Sequence, residues 1–558
     1  MLSLNFIRSS DRDYRQQIQV RFDVIIVGAG STGAVMASRL SEDPSCRVLL
    51  IEAGPAQGTA EMIAATQNGN QPAVLPGLNW KIRTQIKAAH QESNAKNAAA
   101  ESGQKARSNA SIFDYEAGKV VGGSSAVNAT QALRGAPVDY DEWIAECGEE
   151  WGWQGVLPYF RQLENDPLAL QDDASVPALH GHDGPFPIRR EPDEQLTPLQ
   201  SALKSACLAK GYPETADHNN PYTTGVGVIP KNVVNGVRMS SAQTYLAMAE
   251  GRSNLSVLTE ATVHRLHWKG LTHCDGVEVE IDHCLENIYA DKIIVCAGVM
   301  QTPGLLMRSG IGNPQFLEPL SIQVRSALVG VGENFMEHPV LGIWGIPKAE
   351  QSTLGEPMRQ TLLRYSSGHS AYANDMHLCM MAGIDAAAMF PQLAQTSSTK
   401  IIAGLTTCFN KSVSRGYVRI TSSDAHAKPL VVNNCLGDAR DIAPLKHGVR
   451  LAWELMKAPA LADKFSQILA WTEGMMQSDV ALERAVTTFV RPAAHGCGSA
   501  RMGRDPDAGA VLDPRGRVYG VDNLWVADAS AIPLIPSAPP HLTALMVAEK
   551  LAHQFHHN

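Results

Sequence analysis

The chain has 558 residues, 44% of them hydrophobic and 18% charged, with a formal net charge of −9. A single core stops growing at roughly 250 to 300 residues, so this length calls for two domains, and the acidic balance argues against nucleic acid or an anionic membrane as partner. No apolar run reaches the roughly 18 residues that a transmembrane helix needs. The ten cysteines are scattered without a C-x-x-C pair, and the N-terminus carries Arg8, Asp11, Arg12, Asp13 and Arg15 in place of an apolar signal core. A cytoplasmic protein with reduced thiols is the reading these features give.

Residues 1–17 are polar and read as a surface extension. Residues 22–27 are an apolar strand, followed by Gly28, Gly30 and Gly33 in a G-x-G-x-x-G turn that includes Ser31 and Thr32, then a helix to residue 40 and a second apolar strand over 48–51 ending in Glu52 and Ala53. This is the dinucleotide fingerprint of a Rossmann-like α/β domain. Gly28 permits the sharp turn, Gly30 lets the backbone approach a pyrophosphate, and Gly33 lets helix and strand pack closely. The helix N-terminus offers unpaired N–H groups to phosphate. Glu52 is placed for a ribose diol, and its charge disfavours NADP. The fingerprint leaves FAD and NAD both open.

The stretch from Gly54 to Trp80 reads as irregular. Residues 86–111 contain almost nothing to bury and read as a mobile surface loop in a position to act as a lid. A second glycine block follows, Gly118-Lys119-Val120-Val121-Gly122-Gly123-Ser124-Ser125 and on to Asn128. Its N–H groups and hydroxyls suit a second phosphate or a flavin edge, or else form a plain glycine turn capped by Ser124.

Residues 151–164 show an amphipathic helix with Leu157, Phe160 and Leu163 on one face. The alternating run 277–281 after Asp275-Gly276 suggests a hairpin. His273-Cys274 and His283-Cys284 flank it without the paired spacing of a zinc site, so no metal is expected. Residues 297–312 begin Ala-Gly-Val-Met-Gln-Thr-Pro-Gly, and 329–339 read Val-Gly-Val-Gly-Glu-Asn-Phe-Met-Glu-His-Pro, with His338 read as structural. From about 340 to 487 motifs are sparse, with strand-like runs at 400–408 and 417–421 and a helix-like run at 442–456. Near the end come His495-Gly496-Cys497-Gly498-Ser499-Ala500-Arg501-Met502-Gly503, a strand and turn at 524–533, and Pro539-Pro540-His541 opening an apolar helix.

The ordered set of blocks from residue 22 to the C-terminus resembles the glucose/methanol/choline (GMC) oxidoreductase family, choline dehydrogenase among them. The resemblance implies FAD rather than NAD. It implies an FAD-binding domain built from 18–165, 225–338 and 488–558, and a sheet-containing substrate-binding domain of the α+β kind built from 166–224 and 339–487. Cofactor contacts carry over to Gly28, Gly30, Ser31, Thr32, Gly33, Glu52, Ala53, Val121, Gly122, Gly123, Ser124, Asn128, Val263, Asp528, Ala529 and Pro540. His495 falls where the family faces the flavin with a base. An imidazole suits removal of a hydroxyl proton while hydride passes to flavin N5. The family's second active-site residue, usually His or Asn, falls on Pro539, which has no side-chain donor or acceptor. His541 is the substitute expected as second catalytic residue. Val127 stands where some relatives attach FAD through a histidine, so the FAD is expected to be noncovalent. The expected reaction is oxidation of a small alcohol, with oxygen, a quinone or a redox protein as final acceptor. A flavin-containing lyase or decarboxylase on the same fold is the alternative that Pro539 keeps open.

Overall fold

The computed structural model describes residues 4–7, 14–56, 59–73, 75, 77–86, 112–171, 179–389 and 400–556. The lid expected at 86–111 lies, but for Ile86, outside the described residues. Two large sheets organise the rest.

The first sheet has the strand order Asn5–Ile7, Leu255–Leu258, Val48–Ile51, Phe22–Val27, Cys284–Val295, His273–Ile281, Ala261–Lys269, with Leu524–Val526 also pairing to Cys284–Val295. The first five of these strands and Leu524–Val526 run parallel, and the last two turn back antiparallel. Strands buried on both faces in a parallel sheet read as near-continuous apolar runs. Val-Leu-Leu-Ile at 48–51 is buried at every position. Helix Ser31–Leu40 packs on this sheet beneath helix His541–His556.

The second sheet is antiparallel, in the order Phe465–Ile468, Pro339–Pro347, Ile401–Phe409, Met376–Asp385, Thr361–Tyr365, Gly225–Val228, with Arg491–Pro492 beside Pro339–Pro347. Helices Pro198–Ala209 and Ile442–Met456 cover one face and share its apolar core. Gly225–Val228 and Arg491–Pro492 join this sheet although they belong to segments assigned above to the FAD-binding unit. Both are short strands at points where the chain crosses between the sheets.

Several local expectations change. The N-terminal segment is no loose extension: Asn5–Ile7 adds a parallel edge strand to the first sheet, and Ile7 and Ile18 are buried. A helix, Ala60–Gln67, interrupts the stretch read as irregular, with Thr59 Oγ1 accepting from Met62 N as its cap. It buries none of its side chains, so it carried no apolar period to read. Asp275 and Gly276 lie inside strand His273–Ile281, and the hairpin turns at Asp282-His283, both at positive φ (48° and 62°). That backbone is the mirror-image turn that matches strand twist. Helix Trp153–Leu163 points Val156, Phe160 and Leu163 into the core, while Leu157 is only half-buried. None of the ten cysteines is in a disulfide, and Cys284 alone is exposed.

Candidate active site

A cavity of about 560 Å³ opens at the C-terminal ends of the parallel strands, where an open α/β sheet receives its ligands. Gly28 follows strand Phe22–Val27 at φ 102°, and a Cβ there would stand 2.5 Å from Cys296 O. Only glycine fits that turn. Gly30 caps helix Ser31–Leu40 without a side-chain bond, so the first amides of the helix are unspent, and Ser31 and Thr32 line the cavity beside them. Glu52 is buried, its carboxylate accepting from Ala29 N at 2.9 Å and Gly54 N at 2.8 Å. Burial pushes it up to about 7 against the pull of those two amides. Ala53 and Val263 line the same end.

The second glycine block packs directly on the first. Gly122 N donates to Ala29 O at 2.7 Å, and Gly123, at φ 52°, puts its Cα-side against Gly30, where a Cβ would come within 2.6 Å of the Gly30 Cα. Two turns about ninety residues apart in sequence therefore form one seat, with Ser124 and Asn128 on its rim. Asp528 closes the far side, accepting from Gly298 N (2.8 Å), Ser530 N (2.8 Å), Ser530 Oγ (2.5 Å) and Thr302 Oγ1 (2.5 Å). Ala529 and Pro540 face the cavity near it. An acid, a helix N-terminus and a glycine cradle in succession fit an adenine dinucleotide. Of the expected cofactor residues, Gly33, Val121 and Gly122 do not line the cavity. Gly33 lies against Gly28 O, Val121 is buried and donates its N–H to Pro55 O, and Gly122 is occupied with Ala29.

His495 lies on the cavity wall with Ala493, Ala494 and Gly496. Its backbone N–H donates to both oxygens of the Glu337 carboxylate (2.8 and 3.0 Å). Glu337 also accepts from His338 N at 2.8 Å and Tyr115 Oη at 3.0 Å, and burial pushes it up to about 8. His338, read from sequence as structural, touches the imidazole directly: its Nδ1 lies 3.0 Å from His495 Nδ1, with the rings edge to face. Burial holds His338 down at about 4, so it is neutral. Its Nε2 lies 3.0 Å from Pro536 O, which can only accept. The proton of His338 is therefore on Nε2, its Nδ1 is an acceptor, and His495 Nδ1 is the donor. This leaves the lone pair of His495 on Nε2, which has no protein partner among the described residues. Burial above all, with a further push from the Arg359 charge, holds His495 well below its ordinary value, so it stands as a free base at neutral pH.

His541 also reaches the cavity wall, beside Pro539. Its Nδ1 is 3.5 Å from Asn128 Nδ2, its ring edge packs on Phe186, and its Nε2 is buried without a hydrogen-bond partner. No hydrogen bond joins it to His495 among the described residues. The remaining wall comes from residues that carried no motif: Trp80, Ile82 and Phe113 from one side, and Met358, Arg359 and Met381 from the second sheet. Of the histidine–cysteine pairs, His283 lies near Glu280, its Nδ1 3.6 Å from Oε1, beside a cluster of His264, Glu280 and His426 whose ligand atoms are close enough together to hold a metal ion. His264 and His426 share the carboxylate of Glu280, at 2.9 and 2.8 Å.

Models of the GMC oxidoreductase family match residues 22–340 and 412–548. The chain belongs to the GMC oxidoreductase family. It is 35% identical to a 5-(hydroxymethyl)furfural oxidase from Methylovorus sp. (strain MP688), with 95% of this chain and 98% of that one aligned. It is 32% identical to an oxygen-dependent choline dehydrogenase from Klebsiella pneumoniae (strain 342), over 96% and 95%. Among solved structures, pyridoxine 4-oxidase from Mesorbium loti superposes with a TM-score of 0.82 at 28% identity, covering 96% of this chain and 100% of that one. As a GMC oxidoreductase the chain is an FAD-dependent enzyme of alcohol oxidation. These relatives lend no support to the lyase or decarboxylase alternative. No helix among the described residues is long and apolar enough to cross a membrane.

Proposed function

We propose that this enzyme oxidises the CH–OH group of a small alcohol to a carbonyl, with His495 as its single catalytic base. The observation that carries this reading is the relay from Pro536 O through His338 to His495, which fixes the free lone pair on His495 Nε2. FAD, when bound, accepts the hydride at N5 of its isoalloxazine. The Gly28–Gly33 turn and the helix N-terminus would hold its pyrophosphate and Glu52 its ribose, with Val263 beside the adenine. Gly123, Ser124, Asn128, Asp528, Ala529 and Pro540 would flank the rest.

His495 Nε2 takes the hydroxyl proton as the C–H bond breaks. The positive charge that appears on the imidazole is then shared across the His338 hydrogen bond. His541 takes the place of a flavin-flanking residue in this reading, because its Nε2 is enclosed and its Nδ1 is turned to Asn128. The similarity to oxidases and to an oxygen-dependent choline dehydrogenase favours oxygen over a quinone or a redox protein as final acceptor. Val127 supports noncovalent FAD, and ten cysteines outside any disulfide support a cytoplasmic protein.

The test is anaerobic stopped-flow of the purified flavoprotein mixed with benzyl alcohol and aliphatic alcohols. His495→Ala should slow flavin bleaching by roughly 10²- to 10⁴-fold, the usual worth of a positioned base, with its flavin content retained. Bleaching at the wild-type rate would overturn the assignment. Readmitted air should yield one hydrogen peroxide per carbonyl, and denaturation should release the yellow FAD into a filtrate.

A further inference from the structure

Arg359 is the one cavity-lining cation at the His495 end, on the wall contributed by the second sheet. Its Nε donates to the thioether of Met381 at 2.7 Å, a weak acceptor. Burial lowers its pKa, the titratable groups that act on it are the Cys379 and Cys408 thiols, and among the described residues no carboxylate lies within ion-pairing reach of it. Other buried cations of this chain have oxygen partners: Arg134 pairs with Glu164, Arg190 with Asp166 and Asp217, and Lys411 with Asp139 and Glu142, while Arg238 donates to the Asn68, Gln71 and Asn128 carbonyls and Arg364 to the His218 carbonyl. An unpaired guanidinium withdrawn from water is costly, and a fold retains one where something else completes the pair.

The protein itself has no anion to offer there. The three carboxylates that line the cavity are spent elsewhere: Glu52 on the Ala29 and Gly54 amides, Asp528 on Gly298, Thr302 and Ser530, and Glu116 on Asn79. The glycine cradle and helix N-terminus that suit phosphate lie on the first sheet, whereas Arg359 is carried by the second and its charge is felt at the His495 imidazole. The guanidinium is also held in place. Buried Gln200 fixes the chain on either side of it, its Nε2 donating to Met358 O at 3.2 Å and its Oε1 accepting from Gln360 N at 3.1 Å. The lining that the cavity shares with Arg359 and His495 includes the apolar or small residues Met358, Met381, Phe113, Ala493 and Ala494.

We propose that the alcohol this enzyme oxidises carries a carboxylate, which pairs with Arg359 while its hydroxyl reaches His495. The ligand class is an alcohol joined through a short apolar or aromatic body to an anionic carboxylate. The inference rests on the alcohol-oxidation reading above and adds what the substrate's far end must be. It also answers what Pro539 leaves open. With proline at that position, and with His541 turning its Nδ1 to Asn128 and keeping its Nε2 enclosed, one imidazole alone meets the hydroxyl, and a bidentate anchor at the other end supplies the missing orientation.

The holoenzyme should be compared on 4-(hydroxymethyl)benzoate and its methyl ester, which differ in charge and hardly in shape. A charge-assisted pair predicts kcat/KM about 10- to 100-fold higher for the acid, carried mainly in KM. In Arg359→Gln the acid-to-ester ratio should fall close to one, and Arg359→Lys should recover part of it. The ratio is internal to each variant, so a general loss of activity does not imitate the result. Calorimetry with benzoate, which cannot be oxidised, gives an independent reading: its Kd should rise at least about tenfold in Arg359→Gln.

An ester turned over as well as the acid by wild type would overturn the proposal. So would an unchanged ratio in Arg359→Gln, the pattern expected of a residue that acts on the flavin. If no alcohol of either kind bleaches the flavin, the alcohol-oxidation reading fails, and benzoate binding still decides for or against the anion site.

Discussion

Replacing His338 with leucine removes the acceptor that holds the proton of His495 on Nδ1 without adding bulk or charge. In the wild type that proton is spent on His338 Nδ1 at 3.0 Å, and His338 is itself fixed by Pro536 O at 3.0 Å. In His338→Leu the Nδ1–H of His495 becomes a buried donor with no acceptor, at a cost of about 1–3 kcal/mol. The imidazole escapes that cost by moving its proton to Nε2, where it can donate to the alcohol oxygen and can no longer act as base. The competent tautomer therefore loses about 1–3 kcal/mol relative to the other, which at 1.36 kcal/mol per decade is roughly 5- to 150-fold in the rate of flavin reduction. That is smaller than the loss expected for His495→Ala, because some base-competent molecules remain.

The assay is the limiting bleaching rate at saturating alcohol without oxygen, normalised to bound flavin. His338→Asn, whose side-chain oxygen can stand near the lost Nδ1, should recover part of the rate. Leucine and asparagine variants impaired equally, or a leucine variant within about twofold of wild type, would refute the tautomer argument.

Two other outcomes follow from the geometry. Gly28→Ala must place a Cβ 2.5 Å from Cys296 O at φ 102°, a clash with backbone that cannot step aside. The left-handed conformation alone costs about 1–2 kcal/mol, so the purified variant should hold at least roughly tenfold less FAD per chain by absorbance, and full flavin occupancy would contradict the cradle. His495 is held well below 6.5, chiefly by burial. The base is lost only as pH falls through that lowered value, so the acid limb of kcat/KM should lie below pH 6.5 with no loss between 8 and 6.5. An acid limb above 6.5 would contradict the buried, neutral imidazole.

What was legible in the sequence is what local chemistry dictates. Gly28, Gly30 and Glu52 could be placed because a strand, a tight turn, a helix N-terminus and an acid must follow one another closely to hold a dinucleotide, and the chain writes them within about thirty residues. His495 was readable because its flanking glycines and serine form a recognisable block. His338 reads as structural in the sequence, and its contact with His495 was not legible there, since the two lie 157 residues apart and nothing in either segment announces the other. Arg359 was missed altogether. It lies in the irregular segment that leads into strand Thr361–Tyr365, and its significance comes from the carboxylate it lacks, which no motif records. The turn at Asp282-His283 was displaced to Asp275-Gly276 because the strand continues through a dipeptide that more often ends one.

The distribution of the thiols bears on how long such an enzyme lasts at work. If oxygen is the acceptor, each turnover releases a peroxide inside the molecule, within reach of its own sulfur atoms. Peroxide attacks thiolates, not thiols. Cys497, two residues from His495, is buried and pushed up far from ionisation by desolvation and by the neighbouring Glu337 carboxyl. Cys296, under the Gly28 turn, is likewise held protonated by burial and Asp528. These two thiols are thus kept in their unreactive form, and oxidative wear at cysteine should begin at Cys284, on a hairpin of the first sheet open to solvent.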